Sequence, residues 1–202
     1  MSIAEANLDL PSNFTGVVKL FPLPNLVLFP GVIQPLHIFE PRYRKLMEDA
    51  ISSDQVIAMA MLKPGWENKQ AQQPELYKTL CIGKIVTHAQ LPDGRYNLLL
   101  LGAKRARIIR EIAADQPYRL ADVQLIEAAD ESHQGVDAQR IREQAIHIFE
   151  ELTAVDSELD HESIANLLHD DLPFGLLLDL MTFSSGLPLE QQQSVLETVN
   201  ID

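Results

Sequence analysis

Metal ligation is the first chemistry to consider, because three residues with ligating side chains recur at helical spacing. Glu143, His147 and Glu150 fall on one face of a helix, where carboxylates and an imidazole could hold a cation. The same helical count places them opposite an apolar stripe that starts at Ile141, which is where solvated side chains normally lie. A second group of residues could also supply metal ligands: His161, His169, Asp170 and Asp171. The sequence offers no further cluster that would complete a metal site with them. We therefore expect no metal and no cofactor.

Nucleophilic and nucleotide-dependent catalysis have no motif in this chain. The sequence lacks the G-x-S-x-G turn that exposes a catalytic serine, and Ser184 and Ser185 before Gly186 are typical of a helix end. Cys81, the single cysteine, begins an apolar run with no base in a motif beside it, so we expect a buried structural thiol. The G-x-x-x-x-G-K-[ST] loop that holds nucleotide phosphates is also missing. We predict no catalytic residues and no intrinsic ATPase or peptidase activity.

Nucleic-acid binding is the function that the one basic cluster would support. Lys104, Arg105, Arg107 and Arg110 lie within one β-prone run, residues 104–112. Nucleic-acid-binding domains usually carry a large basic excess, whereas residues 1–125 hold 14 Lys and Arg against 12 Asp and Glu. The competing interpretation is that these bases face the acidic half of the chain or water. RNA binding through Lys104, Arg105 and Arg107 is therefore kept as the alternative function.

Peptide binding is suggested by aromatic and apolar residues in unusual surroundings. Trp66 lies in a polar loop, residues 63–75, where a large aromatic side chain is unfavourable unless it packs or binds. The segment 22–41 is apolar yet rich in proline, which leaves neighbouring backbone groups unpaired and limits indiscriminate strand association. Five residues are candidate peptide contacts, each with burial in the core as the competing interpretation: Phe29, Ile38, Phe39, Tyr43 and Trp66.

The charge of the chain divides it into two parts. Of the net charge of −13, residues 126–202 contribute −15, from 2 Lys and Arg against 17 Asp and Glu. The longest apolar runs are far shorter than the ~20 residues needed to span a bilayer, and the N-terminus lacks the basic region of a signal peptide. A single cysteine agrees with a reducing compartment. We expect a soluble cytoplasmic protein with no membrane partner.

Short apolar runs separated by proline and glycine predict a β-rich unit over residues 15–126, behind a tail of residues 1–14. Pro-Asp-Gly at 92–94 predicts a hairpin turn, and Gly102 predicts a break between two runs. Pro41, behind Glu40, suits the first position of a short helix. The predicted strands are residues 17–21, 26–29, 32–39 (interrupted at Pro35), 55–62, 82–91, 96–101, 104–112 and 118–126.

Beyond a linker at 127–136, helical periodicity predicts an all-helical unit over residues 137–202. An apolar stripe marks the buried face of its first helix: Ile141, Ala145, Ile148, Leu152 and Val155. Three more helices are predicted at 161–169, 173–182 and 188–199. The fold class is α+β.

Several segments of this chain resemble the N-terminal domain of the Lon ATP-dependent proteases. The longest is LFPLPNLVLFPGVIQPLHIFEPRYRKLMEDAI at 20–51, followed by CIGKIV at 81–86, GAKRARI at 102–108 and LPLEQQQSVLET at 187–198. They stand in the order and approximate spacing of that domain, and the resemblance covers about residues 17–199. It implies a PUA-like mixed β pseudo-barrel followed by a helical bundle.

The resemblance also implies a function. In this family the domain is associated with recognising protein substrates, and it has no chemistry of its own. A Lon protease continues into an ATPase module and a Ser–Lys peptidase domain. The nucleotide-binding motif of such an ATPase module is absent from this sequence. We therefore expect a free-standing, non-catalytic recognition or adaptor module in protein quality control. Its expected partners are unfolded or extended protein segments, or a separate protease or chaperone.

Overall fold

The computed structural model describes residues 7–67, 73–126, 136–153 and 172–198, without the side chains of 136–138, 152 and 153. The strands in these ranges are β1 (Val17–Leu23), β2 (Ile33–Ile38), β3 (Val56–Met61), β4 (Thr79–Gln90), β5 (Tyr96–Ile112) and β6 (Arg119–Ile126). The helices are α1 (Pro41–Ile51), α2 (Val136–Thr153), α3 (Phe174–Ser184) and α4 (Leu189–Glu197). The helix predicted at 161–169 and most of the linker predicted at 127–136 lie outside the described residues.

The strands form one mixed sheet that closes on itself. Their order is β2-β5-β4-β3-β1-β6, and a further pairing of β5 with β6 closes the barrel. β1 and β3 run parallel, and the other pairs are antiparallel. The long strand β5 makes this arrangement possible, because its first half pairs with β2 and its second half with β6. β2 therefore lies outside the barrel as the edge of an extended sheet.

Strand β3 separates two apolar cores, which explains why all six of its residues are buried. Val56, Ala58 and Ala60 lie in the cluster that fills the barrel, together with residues of β1, β4, β5 and β6. Ile57 and Met59 belong to a second cluster on the outer side of β3, beneath the helices, which we call the outer core. This division follows from the two-residue period of a strand, and the alanines suit the narrow interior of a small barrel.

Helix α1 covers part of the outer core. It begins at Pro41 as predicted, because proline is favoured at the first helical position, where its missing N–H is not needed. Tyr43, Leu46 and Met47 are buried on its inner face. The ring of Tyr43 meets that of Phe21 edge to face at 4.4 Å between centroids, which fixes α1 against β1.

A carboxylate on α1 joins this helix to the start of β6. Tyr118 Oη donates to Asp49 Oδ2 at 2.7 Å, and Lys45 Nζ lies 2.6 Å from Asp49 Oδ1. Partial burial raises the pKa of Asp49, but the hydrogen bonds from Lys45 and Tyr118 outweigh it and hold the pKa below its ordinary value. The ionised carboxylate is therefore the form that the folded state favours.

The C-terminal helices form a second layer, and the face that α2 buries differs from the predicted one. Phe149 of α2 packs with Leu177 and Met181 of α3. Ile141 and Ile148, in the predicted buried stripe, are 41% and 55% exposed. The prediction of that stripe is wrong at these two residues because α3 covers the neighbouring side of α2, around Phe149. Leu152 and Val155 lie outside the described side chains.

Two strand predictions in the β-rich unit are also wrong. Residues 26–29 form no strand, although Val27, Leu28 and Phe29 are buried in the outer core. Gly102 does not break β5, which runs through it with a register shift opposite Gly83. A Cβ atom at position 102 would lie 2.0 Å from the backbone oxygen of Phe29, so glycine here serves close approach and not a chain break.

The predicted fold class is confirmed: an α+β chain with a mixed β pseudo-barrel followed by helices. Within the described residues after 136, every regular element is helical. Among the helices of the described ranges, none is both long and apolar enough to cross a membrane. The division into units at 15–126 and 137–202 stays a prediction.

Candidate functional site

A groove of about 430 Å³ lies across strands β2, β5 and β4. Its lining combines apolar side chains with imidazole, hydroxyl and amide groups: Pro35, Leu36, His37, Thr87, His88, Ala89, Asn97, Leu98 and Leu99. We call the exposed side of this three-stranded region the outer face. It lies on the half of β5 that pairs with β2, whereas β6 pairs with the other half.

Alternation along β2 determines which side chains reach the outer face. Ile33, Pro35 and His37 are exposed, whereas Ile38 is buried in the outer core. Phe39, just beyond the strand, is 61% exposed and stacks on the ring of His37 at 6.3 Å between centroids. The outer face therefore ends in an exposed aromatic ring.

Pro35 occupies the middle of an edge strand, where a proline is tolerated because its nitrogen needs no partner on the open side. The side-chain amide of Gln34 donates to the backbone oxygen of Pro35 at 3.0 Å. The centre of this edge thus lacks one donor, and its acceptor is already engaged. Such an edge is poorly suited to pairing with another strand.

His37 is held in place by its neighbours on β5. Arg95 donates to His37 Nε2 at 3.3 Å, which makes Nε2 an acceptor and leaves the proton on Nδ1. The His37 Nδ1–H then donates to Asn97 Oδ1, at 2.6 Å between the heavy atoms. Arg95 in turn forms an ion pair with Asp93 at 2.6 Å. This network gives His37 a structural role, although its ring is exposed at the surface.

The five candidate peptide contacts do not form one surface. Phe29, Ile38 and Tyr43 are buried in the outer core, so their side chains are not available to a partner, and this part of the prediction is corrected. Phe39 is exposed at the end of β2, and Trp66 is 39% exposed in the loop after β3. The alternation of β2 about Pro35 was the signal that could have separated Ile38 from Phe39.

The basic cluster proposed as an RNA contact is divided among other partners. Arg105 points into the interface with the helices. There, one guanidinium nitrogen donates to Asp179 Oδ2 at 2.8 Å and a second donates to Asp179 Oδ1. The remaining Nε–H donates to the backbone oxygen of Leu196 on α4 at 3.1 Å. Arg105 is therefore a structural residue that joins β5 to α3 and α4, and it is removed from the candidate nucleic-acid surface.

The other bases of this cluster lie nearer to solvent. Lys104 Nζ is 3.7 Å from Asp9, Arg110 pairs with Asp122 at 2.6 Å, and Arg107 is exposed. No continuous basic surface results from these positions within the described residues. The structure thus favours the interpretation in which the bases face acids or water.

Burial determines the ionisation of the groups beneath the helices. Asp179 is almost fully buried; burial raises the pKa of its carboxyl, and the Arg105 guanidinium opposes that rise. Cys81, opposite Arg105 on β4, is completely buried, and burial raises the pKa of its thiol. A neutral, buried thiol is unreactive, as expected for a structural cysteine.

The residues considered for metal ligation lie on the surface. Glu143, His147 and Glu150 are exposed on α2, and His147 Nε2 lies 3.5 Å from Glu151. The part of the chain that the structure describes contains no group of three or more ligating residues. The second candidate group, residues 161 and 169–171, lies outside the described residues.

Comparison with protein families identifies the family of this chain, which the geometry of the site alone does not. The family model described as the ATP-dependent protease La (LON) substrate-binding domain matches residues 17–202. This chain belongs to that family. The predicted resemblance is thereby confirmed, and the match includes both the barrel and the C-terminal helices.

Relatives of this LON substrate-binding domain include two Lon proteases much longer than this chain. The Lon protease of Dictyoglomus thermophilum is 26% identical over 197 residues, which cover 98% of this chain and 24% of that protease. Lon protease 2 of Myxococcus xanthus is 28% identical over 199 residues, covering 96% of this chain and 22% of that protein. The chain thus spans about a quarter of the length of these relatives.

A solved structure confirms the fold. The N-terminal domain of the Mycobacterium avium complex Lon protease superimposes with a TM-score of 0.66 at 16% identity, covering 91% of each chain. At this identity the likeness concerns the fold alone.

Proposed function

We propose that this chain is a non-catalytic module that binds extended or unfolded protein segments through exposed apolar side chains. The observation that carries the proposal is the outer face of β2, β5 and β4. On this face Ile33 and Phe39 remain exposed beside an apolar groove, although the chain buries two large apolar cores elsewhere. Exposed apolar surface on a folded domain is typical of an interaction site. Membership of a family described as substrate-binding supports the same proposal.

The charge of the molecule also supports a protein ligand over a nucleic acid. The net charge is −13, and Arg105, a member of the basic cluster, has its guanidinium engaged by Asp179 and Leu196. Affinity for unfolded protein should therefore survive moderate salt. Affinity for RNA would fall steeply with salt, because each phosphate contact releases condensed counterions.

Trp66 is the second element of the proposed contact. Its side chain is 39% exposed in a polar loop. Tryptophan is among the residue types that most often contribute the largest share of the binding energy at an interface. We expect Trp66→Ala to weaken binding of fluorescently labelled unfolded casein by about 1–3 kcal/mol with little change in melting temperature. Fluorescence anisotropy at two salt concentrations measures this change.

Ile148→Ala supplies the matched control for this experiment, because Ile148 is exposed on α2 and is not part of the groove lining. If Trp66→Ala lowers the melting temperature markedly and leaves binding intact, Trp66 is a packing residue and its assignment fails. If casein does not bind the wild-type chain at either salt concentration, the proposed function fails.

We further infer that binding serves recognition or delivery of protein clients in the cytoplasm, alongside a separate protease or chaperone. The absence of ATPase and nucleophile motifs from this sequence supports a role without chemistry of its own. Crosslinking in cell lysate followed by mass spectrometry tests this role. Recovery of a protease or chaperone with the chain would support it, and recovery of RNA alone would contradict it.

A further inference from the structure

The register of β2, β5 and β4 arranges the outer face in rows of three side chains. Pro35 is aligned with Leu99, which is aligned with Thr87. In the next row His37 is aligned with Asn97, which is aligned with Ala89. Because alternate residues of a strand point to the same side, these rows form a shallow channel along the strands. An extended segment laid on this face could place alternate side chains between the rows.

The open edge of β2 is a poorer site for such a segment than the outer face. Strand addition needs a continuous series of free backbone donors and acceptors. Pro35 contributes no donor at the centre of the edge, and the Gln34 side chain occupies the Pro35 oxygen. A bound segment would therefore be held by side-chain contacts with the face, and main-chain pairing with β2 would contribute little.

The distribution of charge distinguishes this face from the rest of the chain. Its nine lining residues include two histidines and no carboxylate. Lys84, aligned through Leu101 with the exposed Ile33, extends the face at one end, and Arg95 lies at the other, beside His37. Arg95 and Asp93 neutralise each other in an ion pair, so the net positive charge of the face comes from Lys84, whose Nζ also donates to the backbone oxygen of Asn7 at 2.8 Å. On a chain of net charge −13, the outer face is therefore an apolar area without unpaired negative charge.

We propose that the outer face binds extended segments in which apolar residues alternate with acidic ones. Resting on the proposed function, this inference adds the location and the charge class of the ligand. The apolar side chains of the segment pack between the rows and against Phe39. Its carboxylates lie towards Lys84, at the end of the face beside Ile33. A basic segment gains the same apolar contacts without this attraction.

Three eight-residue fluorescent peptides test the charge class with the full chain. In all three, every second residue is apolar, leucine and valine in turn. The residues between them are glutamate in the first peptide, serine in the second and lysine in the third. At low salt we expect the acidic peptide to bind about 10-fold more tightly than the basic one, with the serine peptide between them. The difference should shrink at high salt, since exposed charges are screened. Equal affinity for the acidic and basic peptides, or preference for the basic one, would overturn the charge assignment.

Two substitutions test the location. Thr87→Glu places a carboxylate at an exposed position in the middle of the outer face, and Ser194→Glu makes the same charge change at an exposed position on α4. We expect Thr87→Glu to weaken the acidic peptide about 10-fold and Ser194→Glu to leave it unchanged. Phe39→Ala should weaken all three peptides, whereas Ile148→Ala, at a similarly exposed residue, should weaken none.

The outcomes separate this inference from the proposed function. If the acidic peptide binds with unchanged affinity to folded Thr87→Glu and Phe39→Ala variants, the outer face is not the site, while protein binding itself stands. If neither the peptides nor unfolded casein bind the wild-type chain, both the inference and the proposed function are wrong. Circular dichroism and a melting curve establish that each variant is folded before its affinity is compared.

Discussion

Replacing Asp179 with leucine removes the carboxylate that, among the described residues, is paired with the Arg105 guanidinium. Both side chains are largely buried, with 3% of Asp179 and 16% of Arg105 exposed in the pair. The variant would leave a buried cation whose remaining partner in the described part of the chain is the backbone oxygen of Leu196. Breaking a buried ion pair on one side typically destabilises a protein by about 3–5 kcal/mol. We expect Asp179→Leu to lower the free energy of unfolding by that amount.

The double variant Arg105→Met with Asp179→Leu separates the two parts of this effect. It removes both charges and keeps roughly the same side-chain volume, so no charge is left without a partner. Replacement of a buried pair by apolar residues is often neutral or stabilising. We therefore expect the double variant to recover most of the stability lost in the single one.

Urea titration followed by far-ultraviolet circular dichroism measures these free energies, and Trp66 fluorescence reports on the β-rich part of the same chain. A loss below about 1 kcal/mol for Asp179→Leu would refute the reasoning, because it would show that the pair is solvated in the folded state. A double variant as unstable as the single one would refute it in another way. In that case the loss would come from packing or from the hydrogen bond to Leu196.

Three further outcomes are expected. Gly102→Ala should destabilise the chain by about 1–3 kcal/mol or more, because the new Cβ would lie 2.0 Å from the backbone oxygen of Phe29. Gly175→Ala is the control: nothing lies within 4 Å of its Cβ, so thermal melts should show it to be neutral or slightly stabilising. Asp49→Asn should lose about 1 kcal/mol at neutral pH. Since the folded-state pKa of Asp49 lies below its usual value, its contribution is present above about pH 4 and disappears as pH falls further, so melts of both proteins should converge in acid. Purified chain mixed with ATP and casein should hydrolyse neither, and hydrolysis that copurifies with the monomeric chain would contradict this.

Sequence patterns predicted the elements of this fold best where a local signal determines the structure. Pro41 started α1 as expected, and Pro-Asp-Gly at 92–94 formed the predicted hairpin turn. Gly102 was misread because its reason for being glycine is the backbone of Phe29, which is distant in sequence. The buried face of α2 was misassigned for a similar reason. Both faces near Ile141 and Phe149 are apolar, and the position of α3 decides between them.

The candidate site was predicted only in part. Exposure of Phe39 and Trp66 leaves both available as peptide contacts, whereas Phe29, Ile38 and Tyr43 follow the competing interpretation of burial in the core. The groove itself could not be predicted, since its lining comes from three strands whose alignment depends on the register around the bulge between Ile85 and Thr87. The partner of Arg105 is 74 residues away along the chain, beyond the reach of any local pattern.

Strand β5 has a mechanical consequence because it belongs to both ends of the molecule. Asn97 and Leu99 line the groove, and six residues further along Arg105 holds the C-terminal helices. A pulling force applied through those helices would enter β5 at Arg105 and run along the strand axis. The hydrogen bonds to β4 on one side, and to β2 and β6 on the other, would then be loaded in shear, all together. A domain tethered through its C-terminal helices should therefore keep its outer face intact under tension, whereas a force that peels β2 from its free edge would break the β2–β5 bonds one at a time.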